Sequence, residues 1–181
     1  MKHTKQSLKK DWQKIKKGNL VGVDPSLTNT GLVVFQNEKI IHFQEIKGGK
    51  DKGLGRLLKI GNEFNEIITE FQPTMMAIET QYYAFNVKVA LDLSALRGFL
   101  TGIFLQGHFD HTKTLFNITP LEAKSALGVS TQLKRDESKL AVKKMVIMMY
   151  PELKDCSDDI TDAVAIGLSG YNKLRELVIK T

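Results

Sequence analysis

Residues 21–31 read VGVDPSLTNTG, a short apolar run that carries Asp24 to its end and breaks at once into turn residues. Leu20, Val21 and Val23 favour extended backbone, and Pro25, Ser26, Thr28, Asn29 and Gly31 supply turn chemistry, so Asp24 is expected where a strand leaves a sheet. A carboxylate there is held stiffly yet reaches solvent. Taken alone, the stretch reads equally well as an Asx-turn opened by Asp24. Three further carboxylates shift that balance.

Around this strand the pattern predicts a mixed α/β domain. Residues 31–36 and 39–46 form a hairpin turning at Asn37-Glu38, and residues 54–71 repeat apolar positions at helical period before Pro73. Residues 74–79, TMMAIE, are nearly all apolar and end in Glu79, as a central strand buried on both faces does. The helical crossover makes this strand parallel to the first and brings Glu79 to the same sheet edge as Asp24. Residues 86–106, from Asn86 to Gln106, form a helix apolar over more than one face, which suits a central helix or half of a subunit interface. A further strand at 113–118, a helix opened by Pro120, and a helix capped by Asp136 and running to Tyr150 follow. In that last helix the run Met145, Met148 and Met149 is expected to pack in the core.

The closing helix starts near Ser157 and reads SDDITDAVAIGLSGYNKL. Acids in a first turn are ordinary complements to the helix dipole. Asp162, a turn further in and flanked by core residues, is not explained that way: a carboxylate on the apolar side of a helix calls for a partner. Asp24, Glu79, Asp159 and Asp162 together make an all-oxygen donor set without His or Cys, suited to Mg²⁺ or Mn²⁺ rather than zinc. Two such ions can activate water on one side of a phosphodiester and stabilise the leaving oxygen on the other. Spacing alone leaves Asp158 and Asp159 as rivals for the third position. His108 and His111, three apart around Asp110, read as surface residues of a loop.

With 181 residues, 42% hydrophobic and 25% charged, the chain has the make-up of one sizeable globular domain with an appendage. The net charge is +6, and residues 1–17 hold seven lysines against the single acid Asp11, so the rest of the chain is formally neutral. This basic extension is expected to form a short helix, with Leu8, Trp12 and Ile15 as its apolar stripe, ahead of a domain spanning 18–181. A neutral body with a basic arm suits a polyanion, nucleic acid before membrane. No apolar run reaches the ~20 residues that span a bilayer, the first residues lack a secretory pattern, and a single cysteine, Cys156, agrees with a reducing cytoplasm. A cytoplasmic, nucleoid-associated protein is expected.

The segments VGVDPSLTNTG, MAIETQYYAFN followed by ALDLSALRG, PLEAKSALG leading to SKLAVKKMV, and DDITDAVAIG occur in the order found in RuvC Holliday-junction resolvases. Across roughly residues 20–174 the chain resembles that family. The resemblance implies an RNase H-like fold with a five-stranded mixed sheet flanked by helices. It implies that Asp24, Glu79, Asp159 and Asp162 are the catalytic acids, binding two Mg²⁺ per site, with Mn²⁺ able to substitute. It further implies that Lys124 and Lys139 lie near DNA phosphate, that Tyr82 stands near unstacked bases, and that the 86–106 helix lines a homodimer. The implied activity is paired symmetric nicking of four-way junctions in recombination, repair or phage DNA processing.

Several features depart from the family pattern. The lysine-rich arm is additional, Ser26 replaces a common glycine, and the longer 128–139 loop carries Lys134 and Arg135 as further candidates for DNA contact. These place junction selectivity, rather than the acidic site, in question. A broader debranching endonuclease acting on flaps, three-way junctions and forks is the nearest rival. A non-catalytic binder of branched DNA is the rival outside the enzymes, and nothing in that role requires four acids.

Overall fold

The computed structural model describes residues 18–80, 87–106 and 113–179. The extension 1–17, Tyr82, Asn86, His108 and His111 lie outside these residues. Five strands form one sheet: β1 (Leu20–Asp24), β2 (Asn29–Gln36), β3 (Lys39–Lys47), β4 (Met75–Glu79) and β5 (Thr114–Ile118), in the spatial order β3-β2-β1-β4-β5. β2 runs antiparallel to β1 and β3 antiparallel to β2, whereas β4 and β5 run parallel to β1. Asn37 and Glu38 both take positive φ (51° and 64°), the two left-handed residues that a tight hairpin turn requires. The mixed sheet expected from the sequence is therefore present.

Alternation along β1 and β4 divides the core. Val21, Val23, Met76 and Ile78 meet α1 (Leu54–Phe71) and α2 (Val87–Leu105) on one face. Leu20, Met75 and Ala77 meet α5 (Asp158–Ile179) on the other. Since side chains alternate along a strand, Asp24 and Glu79 both fall on the α5 face, where that helix begins. Helix α5 lies unusually close to the sheet because Gly22 has no side chain: a Cβ there would stand 2.5 Å from the Ala163 carbonyl oxygen.

Two short helices close the α5 side. α3 (Pro120–Ala126) starts with Pro and a capping box, Thr119 Oγ1 accepting from Glu122 N–H and the Glu122 carboxylate accepting from Thr119 N–H at 2.7 Å. α4 (Arg135–Met149) begins two residues earlier than the sequence suggested, with Lys134 at the N-cap position. Asp136 is thus a first-turn acid rather than the cap; Glu137 supplies the side chain, accepting from Lys134 N–H. Met148 and Met149 are exposed, contrary to the core role expected of them, because α4 buries only Ser138, Val142 and Val146 and turns its last turn outward.

Candidate metal centre

The turn after β1 is organised by Ser26. Its Oγ accepts from Thr28 N–H at 3.3 Å, and Thr30 Oγ1 donates to the Ser26 carbonyl at 2.7 Å. The local hydrogen bonding expected of an Asx-turn at Asp24 is therefore supplied two residues later, and the Asp24 carboxyl turns to Glu79. Val23 pairs with Ile78 across β1 and β4, so the two acids follow as neighbours at adjacent strand ends. The two carboxyl groups interact directly, which raises Asp24 and opposes the rise of Glu79.

Electrostatic coupling links these acids to α5. Burial, then Glu79, Asp162 and Asp159, push Asp24 well above the usual carboxylate range. Burial and Asp162 raise Glu79, with the Asp24 hydrogen bond and Lys124 opposing. Burial carries Asp162 up to about 6, helped by Asp158 and Asp159 and opposed by Lys139 and Lys124. Asp159 is raised by burial and by Glu45 and lowered by Lys139 and by a hydrogen bond from Asn29. Asp158, its sequence rival, is exposed and engaged by Lys143 Nζ at 3.0 Å. The structure thus turns Asp159, not Asp158, toward Asn29.

No set of three or more His, Cys, Asp or Glu side chains among the described residues is drawn together tightly enough to enclose an ion. The donor chemistry nevertheless fits a hard divalent cation: four carboxylates, each shifted toward holding a proton, are the groups whose ionised forms a cation stabilises.

A cleft of about 330 Å³ opens beside the acids, lined by Glu79 and Asp162 on one wall and by Lys124, Arg135, Ser138 and Lys139 on the other. Of the five residues expected near DNA, the structure brings Lys124, Arg135 and Lys139 to this cleft. Lys134 is exposed at the α4 cap and does not line it, and Tyr82 is outside the described residues. Asn29 and Glu45 were missed by sequence reading. Asn29 stood in the quoted turn, but its reach to Asp159 depends on where α5 docks. A larger groove, about 510 Å³, sits at the opposite ends of the parallel strands, and no Asp or Glu lines it.

The raised carboxylates set a pH dependence. With native pKa values above unfolded ones, the native state holds more protons, so stability is full below the unfolded values and falls as pH rises. For Asp162 the window runs from its ordinary 3.8 to about 6. In the presence of a chelator, denaturant midpoints are expected to be lower at about pH 7.5 than at about pH 5, and Asp162→Asn should flatten that difference. An equal slope in the variant would remove Asp162 from the account.

A sheet in the order β3-β2-β1-β4-β5, with acids at two central strand ends, further acids on a crossing helix and a basic cleft alongside, defines a nuclease domain of the RNase H-like class. Solved structures agree on the fold. T. thermophilus RuvC in complex with Holliday junction substrate superposes with a TM-score of 0.64 at 22% identity, covering 88% of this chain and 96% of that one. The yeast mitochondrial Holliday junction resolvase superposes with a TM-score of 0.63 at 14% identity, covering 98% of this chain and 89% of that one. The RuvC protein of Alkaliphilus oremlandii is 29% identical over 154 residues, covering 82% of this chain and 90% of its own length. That of Borrelia turicatae is 26% identical over 162 residues, covering 84% and 95%. The family model described as crossover junction endodeoxyribonuclease RuvC matches residues 20–169, and the chain belongs to that family.

Proposed function

We propose that this endonuclease resolves four-way DNA junctions as a homodimer by paired symmetric nicks, using Mg²⁺, with Mn²⁺ able to substitute, held by Asp24, Glu79, Asp159 and Asp162. The observation that carries the reading is the juxtaposition, along one cleft, of the half-buried acids Glu79 and Asp162, with Asp24 beside them, and Lys124, Arg135 and Lys139. Divalent cations would supply the charge that activates water and stabilises the leaving oxygen. The chain itself does the rest. The strand ends hold Asp24 and Glu79 rigidly, α5 presents Asp159 and Asp162 across from them, and the basic wall takes the phosphate backbone. That the T. thermophilus relative was solved with Holliday junction substrate supports a branched-DNA substrate.

Dimerisation is supported by α2. It buries Leu96, Leu100 and Phe104 against the domain yet exposes Val87 at 70% and Leu91 at 65%. Ala95, Gly98 and Gly102 continue that outer stripe, and a Cβ at either glycine would meet nothing within 4 Å. A stripe of this kind lets a second helix approach closely. A role on branched DNA would keep the protein in the cytoplasm beside the nucleoid.

The deciding experiment is Mg²⁺-dependent cleavage of an immobile four-way junction beside a flap, a three-way junction, duplex and an RNA–DNA hybrid. Paired nicks confined to the four-way junction are expected. Cutting across all branched forms would make it a general debranching enzyme. Lys124→Ala and Lys139→Ala should each weaken junction binding roughly tenfold and lower the salt slope by about one. An unchanged salt slope would remove those lysines from the DNA interface.

A further inference from the structure

A fifth carboxylate, Glu45 on β3, faces the same site and is unassigned. We propose that Glu45 is a positioning residue of the metal centre, drawing and orienting the cation on its Asp159 side; this rests on the metal-dependent reading above.

The placement follows from strand register. Asp24 pairs with Gly31 across β1 and β2, and Gly31 pairs with Glu45 across β2 and β3. Directly opposed residues project from the same face of a sheet, so Glu45, Gly31 and Asp24 share one transverse row, continued on β4 by Glu79. With neighbouring strands about 4.8 Å apart, Asp24 and Glu45 are separated by about 10 Å of backbone. The residue between them has no side chain, and α5 fills the gap: a Cβ at Gly31 would stand 2.0 Å from the Asp159 carbonyl oxygen. Asp159 is therefore seated over the space between two other acids.

The charges around Glu45 point the same way. None of the ion pairs among the described residues includes Glu45, and its charge acts on another acid, Asp159, raising it. Lys139 acts on Asp159 from the α4 side, and Asn29 donates to it from the β1–β2 turn. Edge strands commonly carry charge to deter pairing, but that task falls to groups exposed along the edge, such as Lys39 and Lys47. Glu45 is half-buried and turned to the α5 face. Its carboxylate adds negative potential where Asp24 and Asp159 face each other, and the span suits contact through water rather than direct ligation.

The test is Mn²⁺ binding by the DNA-free full-length protein, followed by titration calorimetry and by the EPR signal of free Mn²⁺. Glu45→Gln is expected to weaken binding about three- to tenfold, while Glu45→Asp stays closer to wild type. Glu66→Gln, an equal charge change on the exposed side of α1, should remain within about twofold. Melting without metal checks that Glu45→Gln is folded. Affinity in Glu45→Gln within about twofold of wild type, or an equal loss in Glu66→Gln, would overturn the proposal. If the wild-type protein takes up no Mn²⁺, the metal reading of the whole site fails and Glu45 falls with it.

Discussion

Asp24→Asn is expected to abolish junction cleavage while raising the melting temperature of the metal-free protein. Asp24 is the most enclosed of the four acids and the one on which all the others act: burial and the charges of Glu79, Asp162 and Asp159 each disfavour its ionised form. An amide of the same shape keeps the packing, removes the repulsion and can still donate a hydrogen bond to Glu79. The relieved free energy should appear as roughly 2–4 °C in Tm for each kcal/mol. For Asp162, the gap between 3.8 and about 6 corresponds to about 3 kcal/mol at neutral pH. The same substitution removes a donor that cannot be replaced from the turn, where Ser26 and Thr30 bond one another. Cleavage is therefore expected to fall about a thousandfold or more, about 4 kcal/mol in barrier. Addition of Mg²⁺ should stabilise the wild type and leave Asp24→Asn unmoved. Cleavage within tenfold of wild type would show that Asp24 is not in the reacting centre.

Gly31→Ala should be nearly as damaging to activity, although Gly31 bears no functional group. The added Cβ would lie 2.0 Å from the Asp159 carbonyl oxygen and 2.5 Å from its carbon, so the first turn of α5 must retreat. Backbone on both sides leaves no flexible side chain to give way. Ile160 and Ala163 are anchored in the core just beyond, so the displacement concentrates at Asp159 and Asp162. A misplacement of about 1 Å at a catalytic group can cost about a hundredfold in rate, and overpacking typically costs about 1–3 kcal/mol in stability. The control is Gly55→Ala in the first turn of α1, where a Cβ would meet Asp51 at an ordinary 3.6 Å. Cleavage assays and melts of both variants check the argument. Wild-type turnover in Gly31→Ala would mean that α5 tolerates the shift.

Much of this architecture is legible from local pattern. Residues 20–24 and 75–79 end their apolar runs in acids, and an alternating strand can place a terminal acid only on one face or the other. The helix expected over 54–71 is α1 with the same bounds, because its apolar period and Pro73 are local signals. Other readings failed where solvent exposure depends on neighbours distant in sequence. Met148 and Met149 obey helical spacing but run past the edge of the core, and Leu58, at a helical apolar position in α1, is exposed at 54%. Asp136 is a good capping residue in sequence, yet the chain enters α4 two residues earlier and the cap falls to Lys134 and Glu137.

Residue types and their periodicity determined the class of sheet, the strand ends bearing Asp24 and Glu79, and an oxygen-only donor set, because each of these depends on neighbours within a few positions along the chain. Spacing left Asp158 and Asp159 as rivals and the family resemblance favoured Asp159; the tertiary structure adds a physical difference between them. Lys143, fifteen residues earlier on α4, reaches Asp158, while Asn29 on β2 reaches Asp159. It likewise set Glu45 in one row with Asp24 and brought the Asp159 backbone against Gly31, since both follow from the register of three strands and the docking of α5 upon them. Register and docking are set by packing across the core, where residues far apart in the chain exclude or admit one another.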